Sequence, residues 1–307
     1  MRRLGIHERI RRRICHEMWN VGVVNQSAAD IVTRGIVGPV RWFSGLPSHT
    51  IFADPSCLQY PDGRRTIFLE AMDLRGGRGE IWSADLAPDE DAMPVSFKLA
   101  LRAPYHLSYP FPFFDDAGRP LLTLESWQAA KVTIWQRSRV QWQQISTIMD
   151  DRPVLDPTLW RGSDKWWLFC TFHDDGADSR LHVFFADRLD GPWTSHPRNP
   201  VIEDFGAARP AGPLFMAGDR LIRPAQDCSR TYGGAVVLNA VRRITTEEYV
   251  EVPVRRLEPQ PGLYPRGLHT FCPAGGVTFI DGKTWRFDPL ELSCRIHRKI
   301  SAIARRA

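Results

Sequence analysis

Phe52-Ala-Asp-Pro-Ser56, the turn Asp62-Gly63 and the apolar run Thr66-Ile-Phe-Leu-Glu70 form a unit that the chain repeats four more times. The other heads are His106-Leu-Ser-Tyr-Pro110, Leu155-Asp-Pro-Thr-Leu159, Ala208-Arg-Pro-Ala-Gly212 and Gly267-Leu-His-Thr-Phe271. Their turns read Ala117-Gly118, Ser163-Asp164, Gly218-Asp219 and Asp281-Gly282, and their second runs begin at Leu121, Trp166, Leu221 and Thr284. Gly, Asp and Asn tolerate the positive φ that two-residue hairpins demand, so each unit reads as strand, tight turn, strand. The turns lie 55, 46, 55 and 63 residues apart. Short strands repeating at that spacing indicate an all-β chain and a propeller of five blades.

The blades are expected near 50–100, 103–150, 153–200, 206–255 and 265–290, within a propeller spanning 16–293. The strand Trp19-Asn-Val-Gly-Val-Val-Asn25 is expected to pair with the last blade and close the ring, which leaves no long open sheet edge. Residues 1–15 read as a basic N-terminal extension and 294–307 as a basic C-terminal helix or tail.

Composition narrows the function classes. The net charge is +5, yet residues 1–13 and 295–307 each carry +5, so the body between them carries −5. A body of that sign does not track a phosphate backbone, so no nucleic acid is expected; weak contact with a membrane surface is left to the tails. No apolar run is long enough for a transmembrane segment or a secretory leader, and a cytoplasmic location is expected. The six cysteines are scattered without a Cys-x-x-Cys pair and read as thiols, giving neither a disulfide frame nor a metal site. The run Arg75-Gly-Gly-Arg-Gly79 lacks the Lys-Ser/Thr ending of a phosphate-binding loop and reads as a hairpin turn.

In a propeller the first strand of each blade lines the axis, so the five heads converge. They bring Asp54, His106 with Ser108, Asp156, Arg209 and His269 to one axial pocket. Glu70, Glu125, His173 and Asp227, ending the second strands, are expected around them. Convergent polar groups over a concave axis are the default ligand site. Arg209 points to a carboxylate or phosphate on the ligand, or to an ion pair with Asp156 or Asp227. Glu70 beside Asp54 would form a carboxylate pair with one raised pKa. Trp127, Trp166, Trp167 and Trp193 are candidates for stacking on sugar rings or for packing between blades, packing being favoured for Trp166 and Trp167.

The stretches Phe52-Ala-Asp-Pro-Ser56, Asp156-Pro157 and His196-Pro-Arg-Asn-Pro200 resemble the five-bladed propeller glycoside hydrolases, the family 43 arabinanases and xylosidases with their invertase and levansucrase relatives. Within that group the chain is most similar to the family 43-like N-terminal domain of glucosamine inositolphosphorylceramide transferases and its bacterial relatives. The matching runs extend from Trp19 to His269. The resemblance implies that Asp54 is the general base, that Asp156 tunes the acid, and that His269 holds an ion or water near the axis; no cofactor is required. It also implies a general-acid glutamate before Gly-Pro, where this chain has Ala211-Gly212-Pro213. Glu125 is then the first candidate acid, with Glu203, Asp204 and Glu70 behind it.

Three functions follow from that pattern: cleavage of a glycosidic bond, non-catalytic glycan binding, and glycosyl transfer in surface-polysaccharide synthesis. An acidic or phosphorylated sugar is the expected substrate for an arginine in the ring.

Overall fold

A computed structural model describes residues 15–47, 49–86, 93–94, 96–138 and 141–287. Residues 1–14 of the basic 1–15 extension, the C-terminal tail at 294–307 and the membrane contact assigned to them lie outside these residues, while Cys15 already belongs to the first strand. No described helix is long and apolar enough to cross a membrane.

The chain opens with β1 (Cys15–Val24), the helix α1 (Ala28–Arg34) and β2 (Arg41–Trp42). Blade one follows as β3 (Thr50–Gln59), β4 (Arg65–Asp73), β5 (Arg78–Asp85) and β6 (Lys98–Leu101). Blade two is β7 (Ser108–Phe114), β8 (Pro120–Glu125), β9 (Val132–Arg137) and β10 (Trp142–Met149). Blade three is β11 (Val154–Arg161), β12 (Trp166–Phe172), β13 (Arg180–Ala186) and β14 (Thr194–Ser195), with β15 (Ile202–Glu203) also on β13. Blade four is β16 (Phe215–Ala217), β17 (Arg220–Asp227), β18 (Ala235–Ile244) and β19 (Tyr249–Leu257). Blade five joins both ends of the chain: β20 (Phe271–Ala274) and β21 (Val277–Phe287) with β1 and β2, in the order β2-β1-β21-β20. The molecule is a five-bladed β-propeller.

The second strands are largely buried along both faces because each blade is packed on both sides. Trp166–Phe172 is buried throughout. Five apolar clusters fill the five gaps between neighbouring blades. Phe68 and Ile81 meet Leu107 and Leu122 between blades one and two, while Phe111 and Leu121 meet Trp166 and Leu168 between two and three. Phe169 and Val183 meet Leu214 and Tyr249, Ile222 and Leu238 meet Phe271 and Ile280, and Val21 and Phe279 meet Phe52 and Leu69. Burying one such side chain contributes about 1.5–3 kcal/mol, so these seams hold the ring together. Trp166 and Trp167 are packing residues, and half-buried Trp193 packs against the seam between blades two and three.

The turns at Asp62-Gly63, Ala117-Gly118, Ser163-Asp164 and Gly218-Asp219 fall between first and second strands as the sequence predicts. The fifth does not. Asp281 and Gly282 lie inside β21, and the hairpin is made by Gly275-Gly276, with Gly275 at φ +70°. Gly282 serves a different purpose: a Cβ there would meet the Trp42 ring at 2.4 Å and Tyr264 Cβ at 2.8 Å. It is glycine because two aromatic side chains cover the strand, and Asp281 is left free to serve the axis.

Candidate functional site

Strand register defines two rings of equivalent positions. The β3–β4 pairing slips by one residue between Ala53 and Ser56, and the same slip separates Ser108 from Phe111 and Leu155 from Thr158. The residue at each bulge, Asp54, Tyr109 and Asp156, has φ of +52°, +43° and +49° and precedes a proline. Left-handed backbone at a non-glycine residue costs of order 1–3 kcal/mol and persists only where its surroundings enforce it. In blade four Gln226 N–H donates to Arg209 O and Ala211 N–H to Pro224 O, which puts Arg209, also before proline, at the same position. In blade five Cys272 pairs with Phe279, so the equivalents are Thr270 and Asp281. The inner ring is therefore Asp54, Tyr109, Asp156, Arg209 and Thr270. The second ring is Glu70, Glu125, Thr171, Gln226 and Asp281.

The rings are bonded to one another. Asp54 Oδ2 accepts from Tyr109 N–H at 3.1 Å, and its Oδ1 accepts from Thr270 Oγ1 at 3.1 Å. The Tyr109 hydroxyl is 2.8 Å from Thr158 Oγ1 and accepts from Gly212 N–H at 2.7 Å, tying blades two, three and four across the axis. Asp156 N–H donates to Glu125 Oε2 at 3.0 Å. Arg209 Nε donates to Asp156 Oδ2 at 2.6 Å and Nη1 to Asp178 Oδ1 at 3.0 Å, and Nη2 lies 4.0 Å from Glu125 Oε2. Gln226 donates to Asp156 Oδ2 at 3.1 Å. His269 lies between two carboxylates, its Nδ1 2.5 Å from Asp281 Oδ2 and its Nε2 3.4 Å from Asp54 Oδ1.

This packing decides where protons reside. Burial, with Asp156 alongside, raises the Glu125 carboxyl to about 8 against the pull of Arg209. Burial together with Asp54 and Glu125 holds Glu70 well above the carboxylate range, and Glu70 hydrogen-bonds to Asp54. Burial also raises Asp54, opposed by His269. Burial disfavours the imidazolium of His269, but Asp281 and Asp54 outweigh it and raise its pKa; His269 in return outweighs burial at Asp281 and lowers that one. Six carboxyl groups, Asp54, Glu70, Glu125, Asp156, Asp178 and Asp281, thus face two cations, Arg209 and His269. Carboxyl groups therefore outnumber basic side chains at the hub by six to two.

Several sequence expectations need correction. At the head of blade two the ring residue is Tyr109. Ser108 sits beside Glu125 in the strand pair, and His106 stands at the rim with Nε2 3.3 Å from Glu70 Oε1 and Nδ1 accepting from Gly79 N–H at 2.9 Å. His269 adjoins the ring position that Thr270 occupies. Asp227 turns outward to pair with Arg256, and Gln226 takes its place. His173 is exposed and stacks on Trp127 with centroids 4.2 Å apart; Thr171 holds the ring position. Ala211 is at the position of Ser56 and Thr158, wholly buried in the seam between blades four and five. Blade four reaches the hub through Arg209 instead, whose guanidinium is engaged by Asp156 and Asp178 and is no free anion receptor. Glu203 ends β15 and pairs with Arg180 of β13, and Asp204 Oδ1, in the loop that follows, accepts from Gly206 N–H. Arg223 pairs with Glu251 at the outer part of the blade.

The sequence reading missed Tyr109, Asp178, Thr270 and Asp281. One signal was present: Asp54, Tyr109, Asp156 and Arg209 each immediately precede proline.

Aromatic faces flank the polar hub. Tyr232, 39% exposed, has Arg209 Cζ 5.0 Å from its ring centroid and meets His269 edge-on at 5.4 Å. Trp19 stacks on His269 at 4.1 Å and meets Tyr232 edge-on at 6.4 Å. Asp54, His269 and Asp281 bring ligand atoms within 4.8 Å of one another and are the residues that could hold an axial ion or water. To coordinate a cation, His269 would have to release the proton that its two carboxylates stabilise.

Gly79 braces the rim. A Cβ there would meet Leu107 O at 2.4 Å, Glu70 Oε1 at 2.6 Å and His106 Cε1 at 2.8 Å. Gly79→Ala is expected to displace Glu70 and His106 and to cost about 1–3 kcal/mol by overpacking. Urea unfolding of the two proteins checks it; an unchanged midpoint would show that this wall yields freely.

A family model described as glucosamine inositolphosphorylceramide transferase 1, N-terminal, matches residues 16–261. The chain is 32% identical over 243 residues to glucosamine inositolphosphorylceramide transferase 1 of Oryza sativa subsp. japonica, covering 75% of this chain and 31% of the relative. Against the Arabidopsis thaliana protein of that name it is 28% identical over 239 residues, covering 75% and 30%. The chain thus spans about a third of the length of these relatives. Among solved structures, it superposes on the exo-β-1,3-galactanase 1,3Gal43A of Clostridium thermocellum with a TM-score of 0.54 at 8% identity, covering 75% of this chain and 59% of that one. Zg3597, a family 117 glycoside hydrolase of Zobellia galactanivorans, gives 0.52 at 13% identity, covering 78% and 87%. These two likenesses concern the fold. By the family match and the shared sequence, this chain belongs to the family of the N-terminal region of glucosamine inositolphosphorylceramide transferase 1.

Proposed function

We propose that the chain is a glycan-processing enzyme that cleaves or transfers a glycosidic bond at the hub, with an amino sugar as the ring it recognises. The observation that carries the reading is Glu125. It is a buried carboxyl, raised to about 8, that accepts from Asp156 N–H at 3.0 Å next to the ring containing Asp54. Asp54 would take the proton of a water or acceptor hydroxyl, and Glu125 would deliver one to the departing oxygen. Burial, and after it the neighbouring Asp156, keeps the proton on Glu125. The excess of carboxylates favours a protonated amine over an acidic sugar, which agrees with the glucosamine in the relatives' name. Tyr232, partly exposed beside Arg209 and His269, offers an aromatic surface for the sugar.

Aryl glycosides of glucosamine test cleavage, and a sugar nucleotide with a glycan acceptor tests transfer. Turnover of either supports an enzyme. Binding of glucosamine without turnover of any glycan favours the second reading, a glycan-binding module; Arg209, standing in the ring where it has no proton to donate, speaks for that alternative.

The raised Glu125 also predicts a pH dependence of stability. Between the ordinary carboxyl pKa near 4.5 and about 8, the folded protein binds the proton that the unfolded chain has released, so stability falls as pH rises through that window. The ceiling for this group is about 5 kcal/mol, at about 1.4 kcal/mol per pH unit. Glu125→Gln, which mimics the protonated form, is expected to flatten that part of the curve. Thermal unfolding at pH 5.5 and pH 8.5 measures it; identical slopes for the two proteins would place the Glu125 proton elsewhere.

A further inference from the structure

Asp178 takes no part in the proton transfers proposed above. It lies on the connection from β12 to β13, where Gly176 at φ +65° turns the chain. Ser179 N–H donates to Gly176 O at 2.8 Å, and Ser179 O accepts from Asp204 N–H at 2.9 Å, so the neighbouring residue braces the turn. The Asp178 side chain is 32% exposed, against 10% or less for Asp54, Glu70, Glu125, Asp156 and Asp281. Of the six hub carboxyl groups it is the one that solvent, and hence an arriving ligand, reaches.

Arg209 orients this carboxylate without filling it. Nη1 donates to Oδ1 at 3.0 Å, while Oδ2 has no partner among the described residues. The guanidinium already holds Asp156 at 2.6 Å, so Asp178 is a second carboxylate on one cation and keeps charge to share.

The same guanidinium adjoins the aromatic surface. Arg209 Cζ lies 5.0 Å from the centroid of Tyr232, whose hydroxyl also has no partner among the described residues. Tyr232 is fixed through its backbone. Buried Lys283 donates from Nζ to Tyr232 O at 2.7 Å, and Leu268 N–H donates to Gly233 O at 2.9 Å. Gly233, at φ +57°, lies so close to blade five that a Cβ would meet His269 Cβ at 2.7 Å. Asp178 and Tyr232 therefore flank one buried arginine and present an open carboxylate oxygen and a held aromatic ring.

Both groups attract cations. A charge-assisted hydrogen bond is about twice as strong as a neutral one, and an aromatic ring adds to it. An ammonium brings charge and three donors, whereas an acylated amine brings one N–H, no charge and more bulk.

We infer that Asp178 is the specificity-determining residue of the hub: its open oxygen receives a positively charged group of the ligand, so that a free amine is accepted and its acylated form is refused. That this group is a sugar amine rests on the proposed function; that Asp178 receives it rests on the exposure and the open oxygen of Asp178 itself.

Calorimetric titration of the full chain with glucosamine, N-acetylglucosamine and glucose reads the preference. Glucosamine is expected to bind at least about tenfold more tightly than either neutral sugar, as one hydrogen bond to a charged group allows, and to lose part of that advantage as salt rises. Asp178→Asn keeps an oxygen for Arg209 and removes the charge. It is expected to bring glucosamine to the level of the neutral sugars and to leave those two unchanged. A variant that retains the glucosamine advantage, or that weakens all three sugars alike, overturns the role of Asp178 while the hub reading stands. Tyr232→Ala is expected to weaken all three sugars and to preserve the preference; a preference lost there and kept in Asp178→Asn places the discrimination on the ring and also overturns the role. Equal binding of the three sugars by the unaltered protein overturns selection by charge at a site that still takes a sugar. Binding of none of them overturns the hub reading itself, and the role of Asp178 falls with it.

Discussion

Arg209→Met is expected to destabilise the protein by about 3–5 kcal/mol, because it removes one member of a buried charge network and leaves the others uncompensated. Asp156 would lose the 2.6 Å bond to Nε, Asp178 the 3.0 Å bond to Nη1, and Glu125 the cation that opposes its raised pKa. Methionine fills similar volume, so the loss reports on charge more than on a cavity. In a domain of this size the melting temperature should fall by on the order of 10 °C. Calorimetry measures it. A fall of less than a degree or two would mean that Asp156 is as well served by Gln226 alone, and the guanidinium would then be a ligand group after all.

Asp54→Asn is the second large effect. Asparagine can keep the N–H···O bond from Tyr109, can pair with the Thr270 hydroxyl and tolerates the left-handed backbone, so the fold should persist. It cannot accept a proton. On the proposed function, turnover should fall by about 10²–10⁴-fold, the range for loss of general-base help, with glucosamine binding nearly intact. His269 would also lose one of the two carboxylates that raise its pKa, so its imidazole should titrate at a lower pH in a proton NMR titration. Full turnover in the variant would remove Asp54 from the chemistry, whatever its place in the ring.

How far the sequence could be read depended on how local each signal was. Five hairpins declared the propeller because Asp-Gly and Ala-Gly turns between apolar runs are short-range features. Asp281-Gly282 carried the same signal and was a strand, since nothing nearby in sequence discloses that Trp42 covers Gly282 or that Asp281 accepts from His269 and Thr270 N–H at 2.9 and 3.0 Å. Asp54, Asp156, Arg209, Glu70 and Glu125 were legible at the hub because their charge marks them. Tyr109 and Thr270 were not, because a tyrosine among aromatic residues and a threonine in a strand look like packing. Asp227 and Gln226 show the limit of composition. One residue of register exchanges which of them faces the axis, and the charged one is the one turned away.

The pairing of β1 with β21 carries a consequence for synthesis. Residues 15–24 are synthesised before the rest of the propeller, yet their hydrogen-bonding partners at 278–287 are made more than 250 residues later. Until then an apolar strand and the open flank of blade one stay exposed, and only the final strand can latch the circle. Non-local closure of this kind is slow and open to aggregation, so a nascent chain stalled before blade five should be the species that chaperones hold.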